Sequence, residues 1–201
     1  MIKPVGYDKT PIGFCPIKAG AHACGIIEVI EAVSRNGNNM LCVYFDTDDT
    51  DEQPQYFAEM YKKHKKEFGD EAKWRGIFYV TLSGEYGVAN LKKFTSAVEH
   101  SNKGFVTLWD LVPGDGTFVN CFKGKKIGIV FRAEEYRKPD GTIGRSTKPL
   151  RACDYNKVKE TKVPDVKKLP EYQGVPSSDP AMAAEGFYEV PDNLELDVPF
   201  N

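Results

Sequence analysis

The fold is decided by residues 74–100, WRGIFYVTLSGEYGVANLKKFTSAVEH, where a β-rich run leads directly into an amphipathic helix. Residues 74–82 are rich in aromatic and β-branched side chains, which favours a strand. Residues 88–100 begin near a possible N-cap at Asn90 and place four apolar side chains on one helical face, namely Leu91, Phe94, Ala97 and Val98. The stretch therefore predicts a strand followed by a helix.

A β-hairpin precedes this unit. Residues 20–34, GAHACGIIEVIEAVS, alternate in hydrophobicity and contain many β-branched side chains, as a long strand does. Residues 40–45, MLCVYF, have the composition of the returning strand, and the intervening Asn36-Gly37 tolerates the positive φ angles of a tight turn. The pattern predicts a two-stranded hairpin with a basic tip at Arg35.

Between this hairpin and the third strand lies an insertion with an acidic loop and a helix. Aromatic and apolar residues recur at helical spacing over 56–68, and Gly69 is suited to end the helix. Counting from Asp46, a calcium loop of the EF-hand type needs Gly at its sixth position and Glu at its twelfth, but Asp51 and Phe57 stand there. We therefore expect a solvated acidic loop without a metal.

A second hairpin follows the helix. Residues 125–136, KKIGIVFRAEEY, have the character of a fourth strand. Pro139 fixes φ in the turn that follows, and Gly141 relieves its end. Residues 142–155 return as a fifth strand that is interrupted at Pro149, since proline removes a ladder donor.

This order of elements indicates a fold. A helix between the third and fourth of five strands is the connectivity of the OB-fold, a small, partly open barrel that binds oligonucleotides. Neither GxGxxG nor GxxxxGK[ST] follows any of the strands, so Rossmann and P-loop folds are excluded. The sequence predicts a mainly β protein with helical insertions, built on a five-stranded OB-fold barrel with a helix between strands 3 and 4.

Charge divides the chain into a basic body and an acidic tail. The 201 residues, 41% of them hydrophobic, suffice for one domain with a core. Residues 1–170 hold all 27 Lys and Arg and 22 of the 29 Asp and Glu, and residues 171–201 hold the other seven acids. We expect an OB-fold domain over 1–170 and a disordered acidic tail over 171–201, because the tail is polar and lacks periodicity.

Cysteine and hydropathy patterns bear on location. Five widely spaced cysteines without a CxxC pair argue against a disulfide framework or a structural zinc site, and favour a reducing compartment. No apolar run approaches the roughly 20 residues that span a bilayer. The first residues also lack the apolar segment of a secretory signal. We expect a soluble intracellular protein without membrane contact.

Catalytic signatures are weak. His22, His64 and His100 have no carboxylate or cysteine at ligand spacing, and no serine lies in a GxSxG elbow. Each histidine is interpreted as structural or solvated. We expect no enzyme activity, no cofactor and no metal, although a nuclease built from dispersed carboxylates stays open.

Aromatic and cationic side chains interleave along the predicted strands, a combination with which proteins stack on bases and follow phosphates of single-stranded nucleic acid. Strand alternation places Ile77 and Tyr79 on one face and Trp74, Gly76 and Phe78 on the other, so one of the two sets is core. The candidate nucleic-acid-binding residues are Arg35, Trp74, Arg75, Phe78, Tyr79, Lys125, Arg132, Tyr136, Arg137, Lys138, Arg151 and Tyr155.

Residues 194–200, LELDVPF, resemble the acidic tip of bacterial and phage single-stranded-DNA-binding proteins. Residues 124–146 and the helix over 89–101 are similar to those of phage-encoded OB-fold single-strand binders. The resemblance implies a tip that recruits replication and repair enzymes through a hydrophobic pocket flanked by basic residues. Asn201 follows where that family usually ends on phenylalanine, and the matching residues are Asp197, Val198, Pro199 and Phe200.

These patterns together predict sequence-independent binding of single-stranded DNA in phage or prophage DNA replication, recombination and repair. The bacterial host cytoplasm is the expected location, replication or recombination proteins are the expected partners of the tip, and homo-oligomerisation is left open. Two alternatives remain. One is a replication or recombination accessory whose OB-like body contacts protein, and the less favoured one is a metal-dependent nuclease that uses residues 46–52.

Overall fold

Over residues 15–170, which the computed structural model describes, the chain forms one five-stranded antiparallel sheet and three α-helices. Short 3-10 turns follow the first helix and the last strand, at Gly69–Glu71 and Tyr155–Glu160. The mainly β class and a helix between the third and fourth of five strands are confirmed. In chain order the elements are β1 (Gly20–Val33), β2 (Asn39–Thr47), α1 (Tyr56–Phe68), β3 (Ile77–Thr81), α2 (Gly87–Ser101), α3 (Thr117–Asn120), β4 (Lys126–Arg137) and β5 (Ile143–Cys153).

The sheet has the strand order β3-β2-β1-β4-β5, and every neighbouring pair is antiparallel. β1 is shared, because it pairs with β4 from Gly20 to Gly25 and with β2 from Cys24 onward. A register shift between Ile26 and Glu28 follows the point at which the pairing partner of β1 changes. Such a bulge bends a strand and increases its twist. β1 therefore links a β1–β2–β3 half of the sheet to a β1–β4–β5 half.

The main core lies between one face of the sheet and the helices. Alternate residues of β1 to β4 fill it, together with Phe57 of α1, Phe94 and Val98 of α2, and Phe118 of α3. Phe122 is fully buried and its ring centroid lies 5.0 Å from that of Phe94 and 5.1 Å from that of Phe118. Burying a side chain of this size stabilises the fold by about 1.5–3 kcal/mol, so these aromatic contacts help to hold α2 and α3 against the sheet.

Both predicted hairpin turns are present. In the first, the Ser34 N–H donates to the Asn38 carbonyl at 2.8 Å, and Gly37 has a φ of 76°. In the second, Gly141 has a φ of 82°. Glycine adopts this left-handed region without the steric cost that a Cβ brings. The predicted end of α1 at Gly69 is also confirmed.

Two local expectations are corrected, and two short helices were not predicted. β3 begins at Ile77, so Trp74 and Arg75 lie in the segment that enters the strand. Asn90 is not the N-cap of α2, because it lies within the helix and its side-chain Nδ2 donates to the Thr81 carbonyl at 3.3 Å. Neither α3 nor the 3-10 helix Tyr155–Glu160 was expected, since both are too short to show a helical period.

The acidic loop after β2 is not simply solvated, which corrects a further expectation. Asp51 accepts a hydrogen bond from His22 Nδ1 at 2.8 Å, and the two side chains are only 4% and 5% exposed. Asp51 also accepts two backbone N–H groups, one from β1 and one from the loop, each at 2.9 Å. Asp46 accepts two N–H groups from the first turn of α1. These carboxylates fasten the loop to β1 and α1.

β4 and β5 continue past the start of β1 as a two-stranded ribbon. Pairing of β4 with β1 stops at Phe131 and Gly20, whereas its pairing with β5 runs to Arg137. Lys167 lies along the freed edge of β4 through two backbone hydrogen bonds of 2.9 Å. Because the β1–β2 turn follows the other end of β1, the ribbon and that turn lie at opposite ends of the strand.

Two features bear on the expected environment. All five cysteines are free thiols, and burial raises the pKa of Cys42 to about 11 and raises that of Cys24 as well. These two thiols are poor nucleophiles at neutral pH, because the thiolate is the reactive form. Between residues 15 and 170, no helix combines the length and apolar character needed to cross a membrane.

Candidate nucleic-acid interface

A second apolar cluster lies on the sheet face opposite the core. Its centre is Met40, Cys42 and Tyr44 of β2, which alternate with the core residues of the same strand. All its members come from β1, β2, β3 or the segment that enters β3, so among the described residues no helix contributes to it. We refer to it as the outer-face cluster, whose nine members are Met40, Cys42, Tyr44, Ile27, Ile30, Ala32, Trp74, Ile77 and Tyr79.

The outer-face cluster is a poorly hydrated environment without formal charge. Burial raises the pKa of Tyr79 to about 12, with a further contribution from nearby Cys42. Burial likewise raises the pKa of Tyr44 well above its ordinary value, and Cys42, Tyr79 and Glu28 add to this. Both phenols are therefore neutral at physiological pH. Glu28, which pairs with Tyr44 across β1 and β2, is a carboxylate beside the cluster.

Trp74 and Tyr79 are partly exposed members of this cluster. The indole Nε1 of Trp74 donates to the Gly76 carbonyl at 3.1 Å, and its ring centroid lies 5.8 Å from that of Tyr61 in α1. These contacts fix the orientation of the indole. Arg75, the next residue, is exposed. Two of the predicted residues, Trp74 and Tyr79, thus lie at one apolar face with rings suited to base stacking, and the exposed Arg75 adjoins Trp74 in sequence.

Tyr79 also lines a cleft between the two edge strands, β3 and β5. The cleft has a volume of about 750 Å³, and α2 forms part of its wall. Its cationic groups include Lys93 and the predicted residue Arg151, which is exposed. The sheet therefore brings Tyr79 and Arg151 to one cleft although they are far apart in sequence.

Four predicted residues lie apart from this face, on the β4–β5 ribbon: Arg132, Tyr136, Arg137 and Lys138. The Arg132 guanidinium lies 2.7 Å from Glu134, and Lys148 Nζ lies 3.6 Å from the same carboxylate. Burial alone would raise the pKa of Glu134, but the hydrogen bond from Arg132 and the charges of Lys167 and Lys148 lower it overall. Tyr136 is 45% exposed and packs over Gly144, where a Cβ would lie 2.7 Å from its ring. The ribbon is a separate basic arm whose charge is in part neutralised.

The remaining predicted residues occupy other places. Arg35 is exposed at the β1–β2 turn. Lys125 Nζ lies 4.8 Å from the centroid of the Phe105 ring. Tyr155 begins the 3-10 helix after β5, and Lys126 Nζ lies 4.7 Å from the centroid of its ring. Lys125 and Tyr155 therefore take part in local cation–ring contacts.

Phe78 is corrected from a stacking candidate to a core residue. It is buried with Val80 in the main core, while Ile77 and Tyr79 lie in the outer-face cluster. Alternation in sequence divided these residues correctly but did not say which set is buried. Trp74 contacts both clusters, because it precedes the strand and is not bound by its alternation.

Tyr44 is the aromatic residue of this face that the sequence analysis missed. It lies in residues 40–45, MLCVYF, where both alternating sets are apolar. A strand that faces water on one side alternates between apolar and polar residues, so this run indicated a second apolar face on β2. Tyr44 is only 4% exposed, and Trp74 and Tyr79 pack against the buried part of the cluster to which it belongs.

The carboxylates of residues 46–52 have structural partners. Burial raises the pKa of Asp46, although N–H groups from Phe57, Thr47 and Ala58 oppose the shift. Asp48 accepts from the backbone N–H and the hydroxyl of Thr50, both at 3.0 Å. In the part of the chain that the structure describes, no group of three or more His, Cys, Asp or Glu side chains is arranged to hold a metal ion. The acidic loop thus has a clear role in holding α1 and β1 together.

The predicted partner-binding tip falls outside the described residues, as does the rest of 171–201; its residues are Asp197, Val198, Pro199 and Phe200. Its assignment therefore rests on sequence. No protein-family model and no curated protein matches this chain.

Proposed function

We propose that the protein binds single-stranded DNA without sequence preference, and that the outer-face cluster is the binding surface. The observation that carries the proposal is an apolar sheet face with Trp74 and Tyr79 partly exposed, where Arg75 follows Trp74 in sequence and Arg151 lines the cleft that Tyr79 also lines. Aromatic rings stack on any base, because every base has a π face, and each stack is worth about 1–3 kcal/mol. The arginines supply phosphate contacts.

The strand order supports an OB-type barrel as the scaffold. β1 pairs with both β2 and β4, which leaves β3 and β5 as the two edges of the sheet. These edges contact each other and line the same cleft. Pairing them is the one step that would close a five-stranded barrel with α2 between its third and fourth strands. OB-folds bind oligonucleotides on the face of strands 2 and 3, and the outer-face cluster is centred on β2 with β3 beside it.

The chemistry favours a single strand over a duplex. Bases in a duplex are stacked on one another, so their faces are not available to Trp74 and Tyr79. A single strand can turn its bases onto these rings while its phosphates stay in contact with cations. We further propose that residues 1–170 are the DNA-binding domain and that residues 171–201 recruit replication or recombination proteins, as in phage or prophage DNA metabolism in a bacterial cytoplasm. The acidic, lysine-free and arginine-free tail with its LELDVPF tip supports this division.

An electrophoretic mobility shift with labelled oligo-dT, beside a duplex of equal length, tests the proposal. We expect retention of the oligo-dT at protein concentrations that leave the duplex free. Log affinity should also fall linearly with log salt, by about 0.7 per phosphate contact. Binding to neither DNA would contradict the proposal, and magnesium-dependent degradation would favour a nuclease.

A second candidate function, contact of the body with another protein chain, is favoured by an exposed apolar loop between α2 and α3. The loop is held in shape, because Asp110 accepts the Phe118 N–H at 2.7 Å and the Trp109 ring stacks on Phe118 at a centroid distance of 4.9 Å. Exposed apolar patches mark protein interaction sites. The exposed residues are Val106, Leu108, Trp109, Leu111 and Val112.

Self-association is the testable case of this second function. Sedimentation velocity at rising protein concentration should show a larger species for the wild type and a monomer for Leu111→Glu, whose side chain is 93% exposed and therefore free to change without unfolding the protein. A monomer at every concentration in both proteins would remove self-association as the role of the loop.

A further inference from the structure

A lysine-rich groove lies on α1 directly beside the outer-face cluster. The groove has a volume of about 740 Å³ and is lined by α1 and Trp74. Glu59 is its single carboxylate, and its four cations are Lys62, Lys63, Lys65 and Lys66. The lining therefore carries a clear excess of positive charge.

Trp74 connects the groove to the outer-face cluster, since it belongs to both. Inside the groove its ring lies 5.8 Å from that of Tyr61. Lys65 Nζ lies 5.9 Å from the centroid of the Tyr61 ring, so a cation borders this pair of rings. A ligand chain that crosses the outer-face cluster toward Trp74 thus arrives next to the lysines of α1.

Helix geometry displays these lysines together. Phe57 and Met60 of α1 pack into the main core, which turns the lysine-bearing side of the helix outward. Lys62 and Lys66 are one turn apart, and side chains at this spacing lie on the same face. Lys62 donates to Glu59 at 2.9 Å, and this hydrogen bond lowers the pKa of Glu59. The ionised Glu59 offsets only one of the four cations.

We propose that the α1 groove is a phosphodiester-binding subsite that extends the path of a single-stranded nucleic acid beyond the outer-face cluster. The lysines contact successive phosphates, and the Trp74–Tyr61 pair offers a surface for one base. This inference rests on the proposed function. The groove combines cations with rings, which matches a ligand that repeats a phosphate and a flat base at each position.

The test compares two triple variants of the full chain by fluorescence anisotropy with oligo-dT of increasing length. The first, Lys62→Gln/Lys65→Gln/Lys66→Gln, removes three charges from the groove. The matched control, Lys157→Gln/Lys159→Gln/Lys162→Gln, removes three exposed charges on and after the 3-10 helix. Thermal melts of both variants should match the wild type, because the altered side chains are exposed.

With a long oligonucleotide, we expect the α1 variant to bind at least tenfold more weakly and its salt slope to fall by up to about 2, since each phosphate contact contributes about 0.7. The control should keep most of the wild-type affinity. With the shortest oligonucleotide that the wild type binds, the α1 variant should equal the wild type, because that ligand occupies the outer-face cluster alone. Lys→Arg replacements at the same three positions should restore binding to the long ligand.

Three results would overturn the subsite. In the first, the wild type binds oligo-dT and the α1 variant has the same affinity and salt slope at every oligonucleotide length. This result would leave the proposed function intact. The second is an equal loss with short and long oligonucleotides, which places the lysines in the main site. In the third, the α1 variant binds oligonucleotides normally but has lost the wild type's affinity for a peptide of residues 185–201. This result would make the groove an acidic-peptide site. A wild type that binds no oligonucleotide contradicts the proposed function itself.

Discussion

Trp74 and Tyr79 reach the outer face by different routes, and this separates their expected roles. Tyr79 lies within β3 and belongs only to the outer-face cluster. Trp74 precedes β3, contacts both apolar clusters and donates a hydrogen bond to the Gly76 carbonyl. A change at Tyr79 should therefore act on binding, whereas a change at Trp74 should act on binding and stability together.

Tyr79→Leu should weaken binding of oligo-dT by about 1–3 kcal/mol, because a stacking ring is lost, while the melting temperature stays near that of the wild type. Anisotropy titrations and thermal melts measure the two effects. Phe78→Leu is the matched control on the adjacent, core-facing position, and it should lower stability and leave affinity unchanged. A Tyr79→Leu protein with wild-type affinity would remove this ring from the site.

The fluorescence of Trp74 provides a direct probe of stacking. The chain has two tryptophans, so a Trp109→Phe background isolates the signal of Trp74. We expect its emission to be quenched as oligo-dT is added, because a stacked indole loses fluorescence. Emission that is unchanged at saturating oligo-dT would place Trp74 outside the DNA path.

Glu28 puts one carboxylate beside a surface that is proposed to meet phosphates. Glu28→Gln should strengthen oligo-dT binding by up to about 1 kcal/mol, the scale of one charge pair at close range in water. The gain should shrink as salt rises, because exposed charges are screened. Anisotropy at two salt concentrations measures both effects, and Glu31→Gln on the same strand serves as the control. Equal affinities for wild type and Glu28→Gln at low salt would place the phosphates elsewhere.

At the scale of elements, the acidic loop is the joint between β1, β2 and α1. Burial alone would raise the pKa of Asp51, but hydrogen bonds from His22 and from the N–H groups of Gln53 and Ala23 outweigh it and lower the pKa. A carboxyl whose pKa is lower in the folded state stabilises the fold above its unfolded-state pKa of about 3.9. That stabilisation is lost as the pH falls through this value toward the folded-state pKa.

Asp51→Asn should therefore reduce the free energy of unfolding by about 1.5–3 kcal/mol at pH 7, since it removes the charge from a buried carboxylate that accepts three hydrogen bonds. The difference from the wild type should narrow as the pH falls below about 3.9, because Asp51 is then protonated first in the unfolded state and, below its lowered folded-state pKa, in both states. Urea unfolding at pH 7 and at pH 3 measures it. Asp49→Asn makes the same charge change at an exposed position of the same loop and should cost little. A constant difference across this pH range would contradict the assigned role.

The sequence predicted the elements well because alternation, helical spacing and turn residues are local signals. It did not predict which face of β3 is core, because Ile77 and Tyr79 are apolar as well as Phe78. It also grouped Arg132, Arg137 and Lys138 with Trp74 and Tyr79. Their separation depends on how far β4 extends beyond the end of its pairing with β1. The residues of one strand do not indicate its register with a partner that is distant in sequence.

At the scale of the whole molecule, positive charge lies on several surfaces of the body. These include the cleft between β3 and β5, the α1 groove and the β4–β5 ribbon. Residues 171–201 carry seven negative charges and no positive ones. A tethered anionic segment competes with DNA for such surfaces at a high effective concentration. We therefore expect the tail to lower the affinity for the proposed DNA ligand.

A protein truncated after residue 170 should bind oligo-dT as well as the full chain or better, most visibly at low salt, where screening is weak. It should also lose any capture of replication or recombination proteins from a phage-infected lysate. Phe200→Ala leaves the charge of the tail unchanged and should keep full-length DNA affinity while losing the same partners. Loss of oligo-dT binding on truncation would mean that the tail is part of the binding surface.

Because β1 pairs with both β2 and β4, its two sets of strand pairs form at different times during synthesis. β2 follows β1 almost at once, whereas Gly20–Gly25 must wait for β4, about 110 residues later. At about 5–20 residues per second on the ribosome, the β4-facing edge of that part of β1 stays unpaired for several seconds after the hairpin exists. A bare strand edge is a template for pairing with another chain. Misassembly is therefore most expected while only the N-terminal half has been synthesised, and pairing of β4 with β1 ends this risk.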